Sequence, residues 1–213
     1  MTRIEYLKQH WEYYCVLEED FYNTMRYVEL DLGDNSLYSG TPVSNFGNSM
    51  TYSIEFVKQY QSISSAIEDI LKAICAQLNS TDAGNMERDY TPTILGDAFF
   101  QKVVGQKVQV RRQELQPFMN WSVAPYKSPD WWSAYNDVKH NRNAEFMKAN
   151  LKNVLNALAG LYILNQYLVK KISDEQGEQF DVPSSKSRMF EMVNWSTNYY
   201  VTGHEMYCEL EKI

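Results

Sequence analysis

Apolar residues recur at steps of three and four along three stretches of the chain, and that spacing predicts helices. In the first, Ile4, Leu7, Trp11, Tyr14, Leu17, Phe21, Met25 and Val28 fall on one face of a helix over residues 3–31. In the second, Ile54, Val57, Tyr60, Ile63, Ile67, Ile70, Leu71, Ile74 and Leu78 form the stripe of a helix over about 51–79. Thr51 or Ser53 is its candidate cap, with Glu55 near the first turn. The third, over about 144–173, carries Phe146, Leu151, Val154, Leu155, Leu158, Leu161, Tyr162, Asn165 and Leu168. It is apolar almost throughout, so it reads as the central core element.

The connections are marked by turn residues. Gly33, Asp34, Asn35 and Gly40-Thr41-Pro42 predict a loop to about Met50. Pro92 suits an early helix position, so residues 92–101 read as a short helix, with Gly105 breaking the pattern. Lys107 to Arg111 alternates with period two, as a short strand or an extended loop does. Pro117, Pro125 and Pro129 mark a long connection whose aromatics, Phe118, Trp121 and Tyr126, need cover. Asp130 is a candidate cap for a helix over 130–142, with a break near Asn141 to Asn143. Beyond Gly177 the character changes. Pro183-Ser184-Ser185 reads as a turn, Arg188 to Asn194 as a strand, and Tyr199 to Cys208 is open between strand and helix. The fold expected is all-α: an up-and-down bundle of four or five helices with a small β or irregular C-terminal embellishment. Residues 1–175 form the bundle, and 176–213 an appendage packed on it.

Composition narrows the function classes. A chain of 213 residues can bury a core without disulfides or metals. Hydrophobic content of 44% and aromatic content of 14% exclude a disordered chain. A net charge of -7 argues against coating nucleic acid by bulk charge, yet Lys and Arg cluster at 102–112 and 139–152. Cys15, Cys75 and Cys208 are odd in number and match no metal spacing, as in a reduced compartment. The N-terminal residues show no apolar signal region, and the most apolar run, Val154 to Leu164, is too short to span a bilayer. A cytoplasmic protein away from membranes is expected. HExxH, CxxC, EF-hand and glycine-rich phosphate patterns are missing, and His10 and His204 lie in unrelated segments. No metal or cofactor is therefore expected.

The densest chemistry lies in Asp130-Trp131-Trp132-Ser133-Ala134-Tyr135-Asn136-Asp137-Val138-Lys139-His140-Asn141-Arg142. On a helix, Asn136 and His140 share a face, while Trp132, Tyr135 and Lys139 form another stripe. Histidine exchanges protons near neutral pH, and Lys139 and Arg142 suit a phosphate. Such a set can cleave RNA without metal. A base activates the ribose 2'-hydroxyl, a cation stabilises the phosphorane, and an acid protonates the leaving oxygen. The bland alternatives are a hydrogen-bonded structural histidine, and Trp131 and Trp132 as core anchors rather than base-stacking platforms. Lys107, Arg111 and Arg112 form a second basic patch, either a solvated edge or a nucleic-acid contact.

The run Tyr135 to Arg142, followed by a long helix, resembles the signature region of HEPN-domain proteins. Their motif is an arginine, a polar residue that is often Asn, three residues and a histidine. Asn136 and His140 match in type and spacing, and Tyr135 stands where the arginine would be. The resemblance covers residues 50–80 and mainly 130–173. It implies an all-α bundle and a metal-independent endoribonuclease of a defence or toxin–antitoxin type. His140 would then be the acid/base, Asn136 a positioning donor, and Lys139, Arg142 and Tyr135 substrate contacts. It also implies a homodimer whose motif helices face each other, giving two histidines to one site, and an antitoxin-like protein partner. Arg142, Arg111 or Arg112 are candidates to replace the missing arginine. Glu68, Asp69 and Lys72 resemble a polar group near the active face of such bundles, or are an ordinary surface ion pair. The alternatives are a catalytically silent scaffold that binds RNA or protein, and a small-molecule sensor with a pocket built from Trp121, Trp131, Trp132 and nearby tyrosines.

Overall fold

A computed structural model describes residues 1–33, 37–38, 41–42, 47–80, 84–177, 182–202 and 205–212, with backbone only for 37–38, 41–42, 196–202 and 205–212. The chain is mostly helical, with a small three-stranded antiparallel sheet. Its helices are α1 (Arg3–Tyr6), α2 (Glu12–Thr24), α3 (Ile54–Gln77), α4 (Thr91–Gly96), α5 (Asp130–His140), α6 (Arg142–Glu145) and α7 (Leu151–Gln176). A π-helical turn, Leu7–Trp11, joins α1 to α2. The strands are β1 (Leu37–Tyr38), β2 (Thr41–Pro42), β3 (Val108–Val110), β4 (Gln113–Leu115), β5 (Phe190–Met192), β6 (Trp195–Thr202) and β7 (Glu205–Lys212).

α7 is the centre of the core, buried from Val154 to Val169 on nearly every face. α3 packs along it, and α2 and α5 each contact both of these helices. Gly160 of α7 permits a close approach: a Cβ there would meet Phe118 and Trp131 at 3.2 Å. The side chains of α5 therefore sit almost on the α7 backbone.

Helix ends follow local hydrogen bonding, and several differ from the predicted ends. The first helix stops at Thr24 rather than near 31. Gln59 of α3 donates to the Asp20 carbonyl and to the Thr24 hydroxyl, occupying groups at that helix end. Ser53 caps α3 by accepting from the Phe56 amide at 3.0 Å. Residues 92–101 are not one helix. α4 ends at Gly96, and Asp97 accepts from the Phe99 and Phe100 amides at 2.9 Å to start a new 3-10 turn. The central helix begins at Leu151, not near 144. Asn150 caps it, and the carbonyls of Thr51 and Ser49 take the Leu151 and Lys152 amides at 2.8 and 3.0 Å. Asp130 is not the cap of α5. Pro129 holds that position, and Asp130 is the first helical residue, where its charge complements the helix dipole and accepts from Asn120 at 2.7 Å.

The sheet has the order β4-β3-β5. β3 pairs antiparallel with β4 through a tight turn, and with β5 from the C-terminal region through Val108↔Met192 and Val110↔Phe190. The described residues of the region read as open between strand and helix, 199–202 and 205–208, are strand: β6 and β7 pair antiparallel. The expected boundary at 175 and 176 falls in the last turn of α7. Beyond it, the segment before β5 is bound to α2 through the buried carboxylate of Glu18. That group accepts from the Tyr14 hydroxyl at 2.7 Å, the Arg188 and Met189 amides at 3.0 and 3.1 Å, and the Ser187 hydroxyl. Burying a carboxylate is costly unless it is hydrogen-bonded this fully. No helix among the described residues is long and apolar enough to cross a membrane.

Candidate functional site

The helix α5 has a buried face and an open end. Trp131, Trp132, Tyr135 and Val138 are buried, at the i, i+1, i+4 and i+7 positions of one helical stripe. The Trp131 indole donates to the Pro117 carbonyl at 2.8 Å, and the Trp131 carbonyl accepts from the Tyr60 hydroxyl. Trp132 packs tilted on Tyr135, and Tyr135 on Tyr60. Trp121 is buried too, its indole donating to Thr91 at 2.8 Å. These tryptophans are core anchors, packed on aromatic and backbone groups.

Tyr135, at the place of the expected arginine, therefore points into the core. Burial, and after it the Glu68 carboxylate, hold its hydroxyl above the ordinary tyrosine range. It stays a neutral phenol, and Lys139 Nζ lies 5.8 Å from its ring centroid. The predicted stripe of Trp132, Tyr135 and Lys139 is thus present, as packing for the site rather than as its open surface.

The other predicted residues meet at the C-terminal end of α5. An open cleft of about 330 Å³ is lined by Gln61, Val138, Lys139, His140, Asn141, Arg142 and Asn143. Lys139, His140 and Arg142 are exposed, and Asn136 is half-buried one helical turn before His140. The helix stops because Asn141 leaves helical geometry, at φ -142° and ψ 58°. That break turns Arg142 into the cleft with His140. Among the described residues, the side chains of His140 and Arg142 make no hydrogen bond or ion pair, and that of Lys139 has only the Tyr135 ring. Lys139 and His140, in the last turn of α5, are also placed where basic side chains complement the helix dipole.

Nearby carboxylates are already neutralised. Lys148 bridges Asp137 at 2.7 Å and Glu145 at 2.8 Å. Its bonds to Asp137 and then Glu145 raise the ammonium above the ordinary lysine range, so the clamp stays charged. The cleft itself is left with cationic and amide groups, a donor set for an anion such as phosphate.

The remaining candidates lie elsewhere. Arg111 occupies a left-handed position at φ 50° and pairs with Glu29 at 2.7 Å, while Lys107 pairs with Glu114 at 2.7 Å. Arg112 is exposed, and neither arginine lines the cleft. Lys72 pairs with Glu68 and Asp69 at 3.4 and 3.8 Å, all substantially exposed: ordinary surface ion pairs on α3. His10 stacks on Tyr6 far along the chain from the cleft, and His204 lies outside the described residues. Cys15 and Cys75 are free, and burial pushes the Cys75 thiol up to about 11, so it is no reactive thiolate at neutral pH. No group of three metal-ligating side chains is found among the described residues.

Sequence reasoning missed Gln61 and the Lys148 clamp. Gln61 is one polar residue among many on the outer face of α3, and only the packing of α3 against α5 makes it part of a cleft. The clamp joins Asp137 to Lys148 across the break at Asn141, which no helical spacing encodes. Comparison with family models, with curated proteins and with solved structures finds no match to this chain.

Proposed function

We propose that the chain is a HEPN-like, cytoplasmic helical-bundle protein whose cleft at the end of α5 binds RNA and cleaves it without metal. The observation that carries this reading is the exposed His140, without a side-chain partner among the described residues, beside Lys139 and Arg142, with Asn136 one turn behind it. Arg142 takes over the role of the arginine that Tyr135 does not supply. In the reaction, a histidine as base removes the 2'-hydroxyl proton, and that oxygen attacks the adjacent phosphorus. Arg142 and Lys139 stabilise the pentacoordinate phosphorane. A protonated histidine donates to the departing 5'-oxygen, leaving a cyclic phosphate. One cleft has one histidine, so a homodimer with its α5 ends facing each other supplies base and acid together. The phosphate between them offsets the facing cations. A protein partner of antitoxin type, in a defence or toxin–antitoxin-type system, would act by covering this cleft.

A second reading is a scaffold that binds RNA or a protein without cutting RNA. Tyr135 at the place of the motif's arginine favours it, because α5 then lacks its own arginine there. The tryptophans, packed in the core, leave the aromatic-pocket sensor with the least support.

The deciding measurement is cleavage of a labelled oligoribonucleotide by purified protein in EDTA. The parent should cut, and His140→Ala should lose roughly 100-fold or more, the scale of lost acid–base catalysis. Arg142→Ala should fall similarly while keeping its thermal stability. Equal cutting by parent and His140→Ala means a contaminating nuclease. RNA binding without cutting selects the scaffold.

A further inference from the structure

Beside the cleft lies a patch of exposed apolar side chains that the core does not use. Met50 is 61% exposed, Tyr52 45%, Ile54 73% and Met147 58%. Met50, Tyr52 and Ile54 lie within five residues of chain, and Met147 adjoins Phe146. Tyr52 forms a backbone bridge with Asn150 and packs edge-on against the half-buried Phe146, with ring centroids 5.4 Å apart. Phe146 and Met147 lie in the short turn that follows Arg142–Glu145, so the patch continues directly from the cleft's own cation. On α3, Ile54, Lys58 and Gln61 share the outward face. Gln61 lines the cleft, and seven residues of helix place Ile54 about 10 Å from it along the axis.

We infer that this patch is a stacking platform for a base of single-stranded RNA whose phosphate lies in the Lys139–His140–Arg142 cleft; the inference rests on the RNA reading of that cleft. Charge decides the occupant. Among the described residues the cations at the cleft have no carboxylate partner, and Asp137 and Glu145, on the same stretch of chain, are held by Lys148. Whatever covers the patch must also bring negative charge a short step away. Single-stranded nucleic acid carries both in one repeating unit, an anionic backbone and a flat apolar base. Tyr52 offers a ring supported from the side by Phe146. Met50 and Met147 offer polarizable, adaptable thioethers that fit any base. A base held within a duplex has no free face to stack, so the platform selects unpaired RNA.

The test is binding of a fluorescent single-stranded oligoribonucleotide in EDTA across a salt series, beside the same sequence in a duplex. The parent should prefer the single strand. Tyr52→Ala should weaken single-strand binding by roughly five- to a hundredfold, the range for loss of one stacked base, without changing the salt slope. Tyr52→Phe should retain it. Ile54→Glu, whose charge suits the first turn of α3, should also weaken binding while α3 stays intact. Arg142→Ala should lower the salt slope instead. If the parent binds RNA and Tyr52→Ala binds equally, the platform is wrong and the RNA reading stands. If the parent binds no RNA, both fail. If Tyr52→Ala turns a dimer into a monomer with unchanged RNA affinity, the patch joins copies of this chain and the platform is overturned.

Discussion

The two faces of α5 differ in how much of their chemistry is already engaged. On the inner face, Trp131, Trp132 and Tyr135 are packed on one another, on Phe118 and on Tyr60, and the Trp131 indole and carbonyl both have hydrogen-bond partners. At the open end, His140 and Arg142 have none among the described residues, and they share one cleft. Eleven residues of one helix thus serve as both frame and site. Satisfied groups account for the fold. Exposed basic side chains gathered at one place are not needed for that packing, and the proposed ligand reading rests on them.

The sharpest way to break this division is on the inner face. Trp131→Ala removes the ring that lies against Phe118 and the α7 backbone at Gly160. It should cost roughly 3–5 kcal/mol in urea unfolding, as expected for a buried tryptophan. His140→Ala should stay within about 0.5 kcal/mol of the parent, as an exposed residue without partners does. A Trp131→Ala loss below about 1 kcal/mol would mean that the inner face is not the frame described here.

How far the sequence foretold this division follows from the range of the interactions. Tyr135 lies three residues after Trp132 and four before Lys139, and that local spacing groups the three on one stripe, although its burial in the core is not read from it. The match of Asn136 and His140 is equally local. Ser53, one of two candidate caps, and the strand around Val108 to Val110, one of two readings of that stretch, likewise depend on neighbours in sequence. The start of α7 was not. Phe146 continues the apolar spacing, but the helix begins only where Thr51 and Ser49, about a hundred residues earlier, accept its first amides. Asp130 looked like a cap by residue type, yet the backbone places it one position further in. Gln61 joins the cleft by the same kind of long-range packing. Elements built on local spacing were readable, and boundaries set by distant carbonyls were not.

A smaller effect sharpens the comparison at the border of frame and site. Lys148 lies between them, clamping Asp137 of α5 to Glu145 of α6. Lys148→Ala should lower thermal stability far less than Trp131→Ala, because the clamp is exposed and salt-screened. It should nevertheless weaken RNA binding severalfold at low salt, because two released carboxylates then repel phosphate near the cleft. Adding Asp137→Asn should restore part of that binding. Unchanged affinity in Lys148→Ala at low salt would show that these carboxylates do not shape the field of the cleft.

The smallest effect separates two histidines. His140 is at the site, whereas His10 belongs to the frame, in the π-helical turn after α1 and stacked on Tyr6. Burial lowers the affinity of His10 for a proton below the ordinary histidine value of 6.5, and the Asp69 carboxylate opposes this only in part. The sign follows from proton counting. As pH falls through 6.5, the unfolded chain takes up the proton before the folded one, so unfolding gains and stability drops. Above 6.5 the histidine is neutral in both states and contributes no pH dependence. His10→Gln removes this loss. Its stability relative to the parent should therefore rise steadily as pH is lowered from above 6.5 to well below it, in urea unfolding at a series of pH values. His140→Gln, exposed in the cleft, should stay within about 0.5 kcal/mol of the parent at neutral pH. A flat series for His10→Gln, or a clear loss of stability in His140→Gln, would erase the distinction between the frame's histidine and the site's.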